Sequence, residues 1–234
     1  MPKSRIPSPQ KLWANFEQRV LGVVTYALEL LRVQTALPLK EPDLNFRMNS
    51  LLRDADRRLS RQNQGLDKAP IWEAQSQPVA GDTAQTPRVK KKPDFQYELV
   101  DTLELDPDKA YKYYTIECKR LGKSPKRDRP LNRQYVSDGI LRYVTEEHAY
   151  GKCSPSGAMI GYVQNIPPPQ ILAEVNTFAG QRGLPPLNSP GGRLITGEIS
   201  RLNQRLDRPE VPPTPFTLRH LWVDLRSSYD GLPD

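Results

Sequence analysis

The sequence predicts an α/β domain: a mixed central sheet flanked by helices, with an N-terminal helical pair. Three observations predict it. Residues 9–62 carry two apolar stripes at helical spacing. Residues 93–119 hold two runs of aromatic and β-branched residues around a turn, the pattern of a hairpin. Residues 132–180 then alternate helix, strand and helix, which a sheet covered by helices requires.

Residues 1–8 are basic and proline-broken, a loose end. The first helix is expected over 9–33, where Leu12, Trp13, Phe16, Val20, Val24, Ala27, Leu28 and Leu31 recur at helical spacing. Glu17 lies on that stripe, where a carboxylate is costly without a partner. It either belongs to a site or pairs with an arginine at the stripe's edge. Pro38 and Pro42 are read as ending this helix. A second follows over 43–62, with Leu44, Phe46, Met48, Leu51, Leu52, Ala55 and Leu59 on its apolar side. Its arginines 53, 57, 58 and 61 alternate with Asp54 and Asp56, which reads as a solvated, salt-bridged face. Residues 63–92 are polar and without periodicity, a long loop or insertion with a short edge strand around Ile71-Trp72-Glu73. The chain therefore divides into a helical pair (1–62), this insertion (63–92) and an α/β core (93–226), all within one domain.

The hairpin carries the chemistry. Centred near Asp106 and Pro107, it pairs Asp94 with Lys119, Gln96 with Glu117, and Glu98 with Thr115 on one face. Phe95, Tyr97, Leu99, Tyr114, Ile116 and Cys118 fall on the other, apolar face. A one-residue slip would destroy that sorting. Carboxylates beside a lysine suit a hard cation: Asp94 and Glu117 can ligate Mg²⁺, with the Cys118 carbonyl and waters completing an octahedron. Such a cation acidifies a water and neutralises a phosphate oxygen, and Lys119 can orient the water or offset developing charge.

Pro93-Asp94, a gap of 22 residues and then Glu117-Cys118-Lys119 resemble the motif of the PD-(D/E)XK nuclease superfamily. The resemblance implies a restriction-endonuclease-like core and Mg²⁺-dependent hydrolysis of phosphodiester bonds, with Mn²⁺ as a substitute. Asp94, Glu117 and the Cys118 carbonyl would be ligands, and Lys119 the catalytic lysine. Many such nucleases add a glutamate from the helix before the sheet, a role that falls here to Glu17, with Gln96 as a further auxiliary. The superfamily's habit favours DNA over RNA, and a prokaryotic defence or restriction effector is a role carried by the resemblance alone. The strand expected before the one bearing the aspartate is weak here, and Gln134 is followed four residues later by Asp138, not by the tyrosine some members carry.

Beyond Lys119 the chain is strongly basic. Arg120, Lys123, Lys126, Arg127 and Arg133 suit a phosphate backbone, and Arg88, Lys90, Lys91 and Lys92 lead into Asp94 from the other side. A helix is expected over 132–147, with Arg133, Gln134 and Arg142 able to face a cleft, and His148 at its end as a cap. Residues 157–163 read as a buried central strand whose small residues let a helix approach closely. The next helix is opened by Pro167 and Pro169 and runs to about Gly180. Residues 195–206 are read as a short helix, and 216–225 as a last strand that closes or edges the sheet, carrying His220.

The formal charge of +7 permits a polyanionic partner. Two cysteines, one inside a predicted strand, make no disulfide framework or zinc site. No glycine-rich phosphate loop or Ser-His-Asp pattern appears. With no signal peptide and no long apolar run, the chain reads as cytoplasmic, with no membrane partner. Any sequence specificity would come from loops, a partner subunit or a homodimer. The rival reading is a non-catalytic nucleic-acid-binding or scaffold subunit, in which Glu117 and Lys119 form a structural ion pair.

Overall fold

The computed structural model describes residues 8–78, 82–124, 130–190, 194 and 197–229. Its strands are β1 (Ile71–Trp72), β2 (Phe95–Val100), β3 (Tyr111–Leu121), β4 (Ser156–Val163), β5 (Ile199–Leu206) and β6 (Phe216–Asp224). They form one six-stranded sheet in the order β1-β2-β3-β4-β6-β5. The central strands β3, β4 and β6 run parallel, while β1, β2 and β5 join antiparallel at the two sides. The sheet is mixed and helices cover both faces.

One face is covered by α1 (Pro9–Arg32) and α2 (Glu41–Ser60). Ser8 caps α1 by accepting from the Lys11 backbone N–H, and Pro9 starts it. Trp13, Phe16, Val20, Val24, Leu28 and Leu31 are buried from α1, against Tyr114, Ile116, Cys118 and Ile160 of the sheet. Each such burial is worth roughly 1.5–3 kcal/mol. Trp13 Nε1 also donates to Ser156 Oγ at 2.8 Å, pinning the helix to the start of β4. The opposite face is covered by α4 (Leu131–Ser137), a 3₁₀ turn (Ile140–Tyr143) and α5 (Pro168–Gly180), packed on Leu121, Met159, Val163, Leu218 and Trp222. A single helical turn, α3 (Pro107–Ala110), lies in the β2–β3 connection.

The hairpin faces are sorted as expected, but the register differs by two residues. Phe95 stands opposite Ile116, Gln96 opposite Thr115 and Glu98 opposite Tyr113. A shift of two preserves side-chain parity, so the apolar and polar faces are unchanged.

Other expectations are corrected. Pro42 does not end the first helix; it sits in the first turn of α2, which therefore starts at Glu41. The helix expected over 132–147 breaks after Ser137 and is followed by a 3₁₀ turn at Ile140–Tyr143, with Gly139 between them in non-helical backbone and packed closely on its neighbours. A Cβ there would stand 2.4 Å from the Tyr135 carbonyl oxygen and 2.5 Å from Met159 Cε. Residues 199–206 form a strand, not a helix. Their inward side is Ser200, Leu202, Gln204 and Leu206, so two polar residues obscure the period of two. The last strand is interior, lying between β4 and β5. Phe46, expected on the apolar side of its helix, is exposed and meets Trp72 edge-on at 5.8 Å.

Candidate active site

At the carboxyl end of the parallel strands, three elements bring carboxylates to one lysine. Lys119, near the end of β3, directs Nζ to Glu117 Oε1, Glu41 Oε1 and the Cys118 carbonyl oxygen, each at 2.8 Å. These three acceptors match the three donors of an ammonium. Glu41 comes from the first turn of α2, where a carboxylate is favoured by the helix dipole. Its Oε2 also accepts from the Arg120 backbone N–H at 3.3 Å.

Asp94 lies just before β2. Its Oδ2 accepts from the Cys118 backbone N–H at 2.6 Å, and its Oδ1 from Asn45 Nδ2 at 2.9 Å. Asn45 is in turn oriented by the Tyr162 hydroxyl, which donates to its Oδ1 at 3.0 Å. Asp94 is thus fixed by groups from α2, β3 and β4, the kind of outer support that holds a ligating carboxylate.

Glu117 is almost wholly buried, at 1% exposure. Its Oε1 takes both Lys119 and Arg142 Nη1, whereas its Oε2 is buried with no hydrogen-bond partner among the described residues. Burial raises the Glu117 carboxyl above its usual range despite Lys119 and Arg142. Burial also raises Asp94 well above its ordinary value, helped by the charges of Glu117 and Glu41. For Lys119, burial works the other way, but Glu117, Glu41 and Asp94 outweigh it and hold the ammonium protonated. Burial and mutual repulsion thus favour the neutral form of the Asp94 and Glu117 carboxyls, while the lysine keeps its charge.

Among the described residues no three His, Cys, Asp and Glu side chains stand ready to hold a metal ion as they are. The Lys119 ammonium bridges two of the oxygens a cation would use. Even so, the donors fit a hard cation. They are carboxylate and carbonyl oxygens, and one of them, Glu117 Oε2, is orphaned and buried.

The cluster opens into a cleft of about 390 Å³ lined by Lys40, Glu41, Lys119, Arg120, Gln134 and Arg142, among others. A wider hollow of about 920 Å³ lies along α1 around Glu17 and Arg219, but the acid and base there face each other as a closed pair.

Glu17 is not at the lysine cluster. It pairs with Arg219 of β6, with Arg219 Nε 3.1 Å from Glu17 Oε1. Gln96 is buried on the polar face but donates to the Ala74 carbonyl at 3.2 Å. His220 shares a cross-strand row with Glu117, with Met159 between them. It is buried, and its Nδ1 pairs with the Tyr135 hydroxyl at 2.9 Å. His148 is half-buried against Tyr150.

Among the basic residues, Lys123 and Arg133 are exposed, and Arg120 lines the cleft while donating to the Leu39 carbonyl. Lys126 and Arg127 lie outside the described residues. Arg88 is buried against Asp82, and Lys91 pairs with Glu147.

Glu41 and Asn45 were not singled out from the sequence. Reading Pro42 as a helix start would have exposed Glu41. Asn45 and Asn49, four apart among Leu44, Met48 and Leu52, are buried polar positions on an apolar stripe. Among the described residues no helix is long and apolar enough to cross a membrane. Comparison of the chain with protein families, with curated proteins and with solved structures found no match, so the resemblance rests on residues 93–119.

Proposed function

We propose that this chain is a metal-dependent nuclease with a restriction-endonuclease-like core, hydrolysing phosphodiester bonds with Mg²⁺ or Mn²⁺. The observation that carries the reading is the convergence of Glu117, Glu41 and the Cys118 carbonyl on Lys119, with Asp94 held at the Cys118 N–H beside them, beneath an open cleft whose lining includes Lys40, Arg120 and Arg142. Asp94, Glu117 and the Cys118 carbonyl would hold the cation, and Glu41 takes the auxiliary role that the sequence pattern assigned to Glu17. When bound, the cation supplies charge for a phosphate oxygen and acidifies a water.

The remaining work belongs to the protein. Lys119, released from Glu41 and Glu117, offsets negative charge that builds on the phosphate in the transition state. Asn45 and the Cys118 N–H keep Asp94 from turning away. Arg120, Lys123 and Arg133 hold the flanking phosphates and so fix the register of the backbone. DNA as substrate and a defence or restriction role follow from the resemblance.

One observation favours a second reading. All three donors of the Lys119 ammonium are already matched by protein oxygens, so the cluster is closed without a metal. A nucleic-acid-binding scaffold that kept the fold would look the same. Incubation with plasmid, linear duplex, single-stranded DNA and RNA, in Mg²⁺ or Mn²⁺ and in chelator, separates the two. The nuclease cleaves at least one substrate and is silenced by chelator. Binding that is indifferent to chelator, with every substrate intact, identifies the scaffold.

A further inference from the structure

Arg142 has no counterpart in the motif that suggested a nuclease, yet it reaches the centre of the cluster. Its Nη1 donates to Glu117 Oε1, the oxygen that Lys119 also uses. Lys119 has matched acceptors for all its donors; the Arg142 guanidinium, with five N–H donors, spends one on Glu117 and also meets the Tyr150 hydroxyl, whose ring lies beside it, so donors remain for a further ligand. The side chain is only partly buried, at 28% exposure, and it lines the cleft. It therefore touches both the buried carboxylate and the space a phosphate would enter.

Its backbone, by contrast, is fixed. The Arg142 carbonyl accepts from the Tyr150 N–H and its own N–H bonds to Gly139, both at 3.0 Å. The buried Arg208 guanidinium binds the carbonyls of Tyr143, Tyr150, Gly151 and Ser154, clamping the segment that follows. Any movement of Arg142 is a change of side-chain rotamer about an anchored Cα.

Formal charge gives that movement a direction. Counted with all three carboxyls ionised, the state a bound cation requires, Asp94, Glu117 and Glu41 against Lys119 and Arg142 leave the cluster one positive charge short. A divalent cation overshoots by one, and departure of Arg142 restores neutrality. A phosphate in the cleft is a better partner for a planar guanidinium than one shared carboxylate oxygen, because it can be gripped through two N–H groups.

We infer that Arg142 couples nucleic acid to metal: it occupies Glu117 when the cleft is empty, and it transfers to a substrate phosphate as the cation takes its place. The inference rests on the nuclease reading. It makes Arg142 a competitor of the metal and a ligand of the substrate at once, a combination that neither a structural ion pair nor a simple phosphate contact produces.

The test is calorimetric titration of Ca²⁺, used as an unreactive stand-in, into the free protein, paired with oligonucleotide binding measured in saturating Ca²⁺. The proteins are the wild type, Arg142→Ala, Arg142→Lys and Asp94→Ala. Arg142→Ala is expected to bind Ca²⁺ about tenfold more tightly and the oligonucleotide about tenfold more weakly, the scale of an ordinary coupling between sites. Arg142→Lys, which keeps the charge but loses the fork, should fall between on both axes. Tighter Ca²⁺ with unchanged oligonucleotide affinity makes Arg142 a structural neutraliser and overturns the coupling. Weaker oligonucleotide binding with unchanged Ca²⁺ affinity makes it a phosphate contact alone, and also overturns it. If Ca²⁺ binding is the same in wild type and Asp94→Ala, the metal reading falls and the inference falls with it.

Discussion

Lys119 Nζ stands 2.8 Å from Glu41 Oε1 across 78 residues of sequence, and 2.8 Å from Glu117 Oε1 two residues away. The contact joins the first turn of α2 to the end of β3, so the helix start belongs to the site. The consequence is a reversal of the two candidate glutamates. Glu41→Gln should lower cleavage by about 10–100-fold, as loss of a supporting carboxylate does. Glu17→Gln should leave the cleavage rate unchanged and cost about 1 kcal/mol of stability, because its partner Arg219 is partly solvated. Cleavage rates and urea unfolding of both variants check this. A rate that collapses in Glu17→Gln and survives in Glu41→Gln would refute the assignment.

Glu17 is more visible in the sequence than Glu41. Apolar periodicity is strong in α1, so any acid on its stripe draws notice, and the bland alternative, an arginine partner, is what Glu17 has. Glu41 sits beside a proline, and proline both ends and begins helices. Taking Pro42 as a stop moves the expected start of α2 to residue 43 and leaves Glu41 outside the helix. The hairpin faces were legible because parity survives a two-residue shift, whereas the register depended on the connection, where α3 takes up chain that a tight turn would not. β5 stayed hidden because Ser200 and Gln204 point inward, and burial is decided by neighbours the sequence does not order.

His220 gives the fold a predictable response to acid. Burial depresses its imidazole from 6.5 to about 3. Between those values the unfolded chain takes up a proton that the folded chain refuses, so stability falls as pH drops through the window. The loss at pH 5 is about 2 kcal/mol. His220→Gln retains an acceptor for the Tyr135 hydroxyl and removes the titration. Unfolding free energies from urea titrations at pH 7.5 and 5.0 should draw closer in the variant by about that amount. An undiminished difference would place the acid sensitivity elsewhere.

Gly161, on the central strand, was expected to admit a helix, but neighbouring strands fill the space instead. A methyl there would stand 2.4 Å from Leu121 Cδ1 and 2.6 Å from Trp222 Cδ1, both side chains of the core. Gly161→Ala should therefore destabilise by about 1–3 kcal/mol through overpacking. Thermal unfolding followed by circular dichroism reads this directly, and an unchanged midpoint would contradict the packing of β4 between β3 and β6.

The central claim is that the Lys119 cluster performs phosphodiester hydrolysis. Cleavage of a labelled substrate in Mg²⁺ by wild type, Asp94→Ala and Lys119→Ala, each first verified as folded, tests it most directly. The account predicts cleavage by the wild type alone, lost in both variants. Cleavage that persists in both would contradict the claim, whatever other activity the protein has.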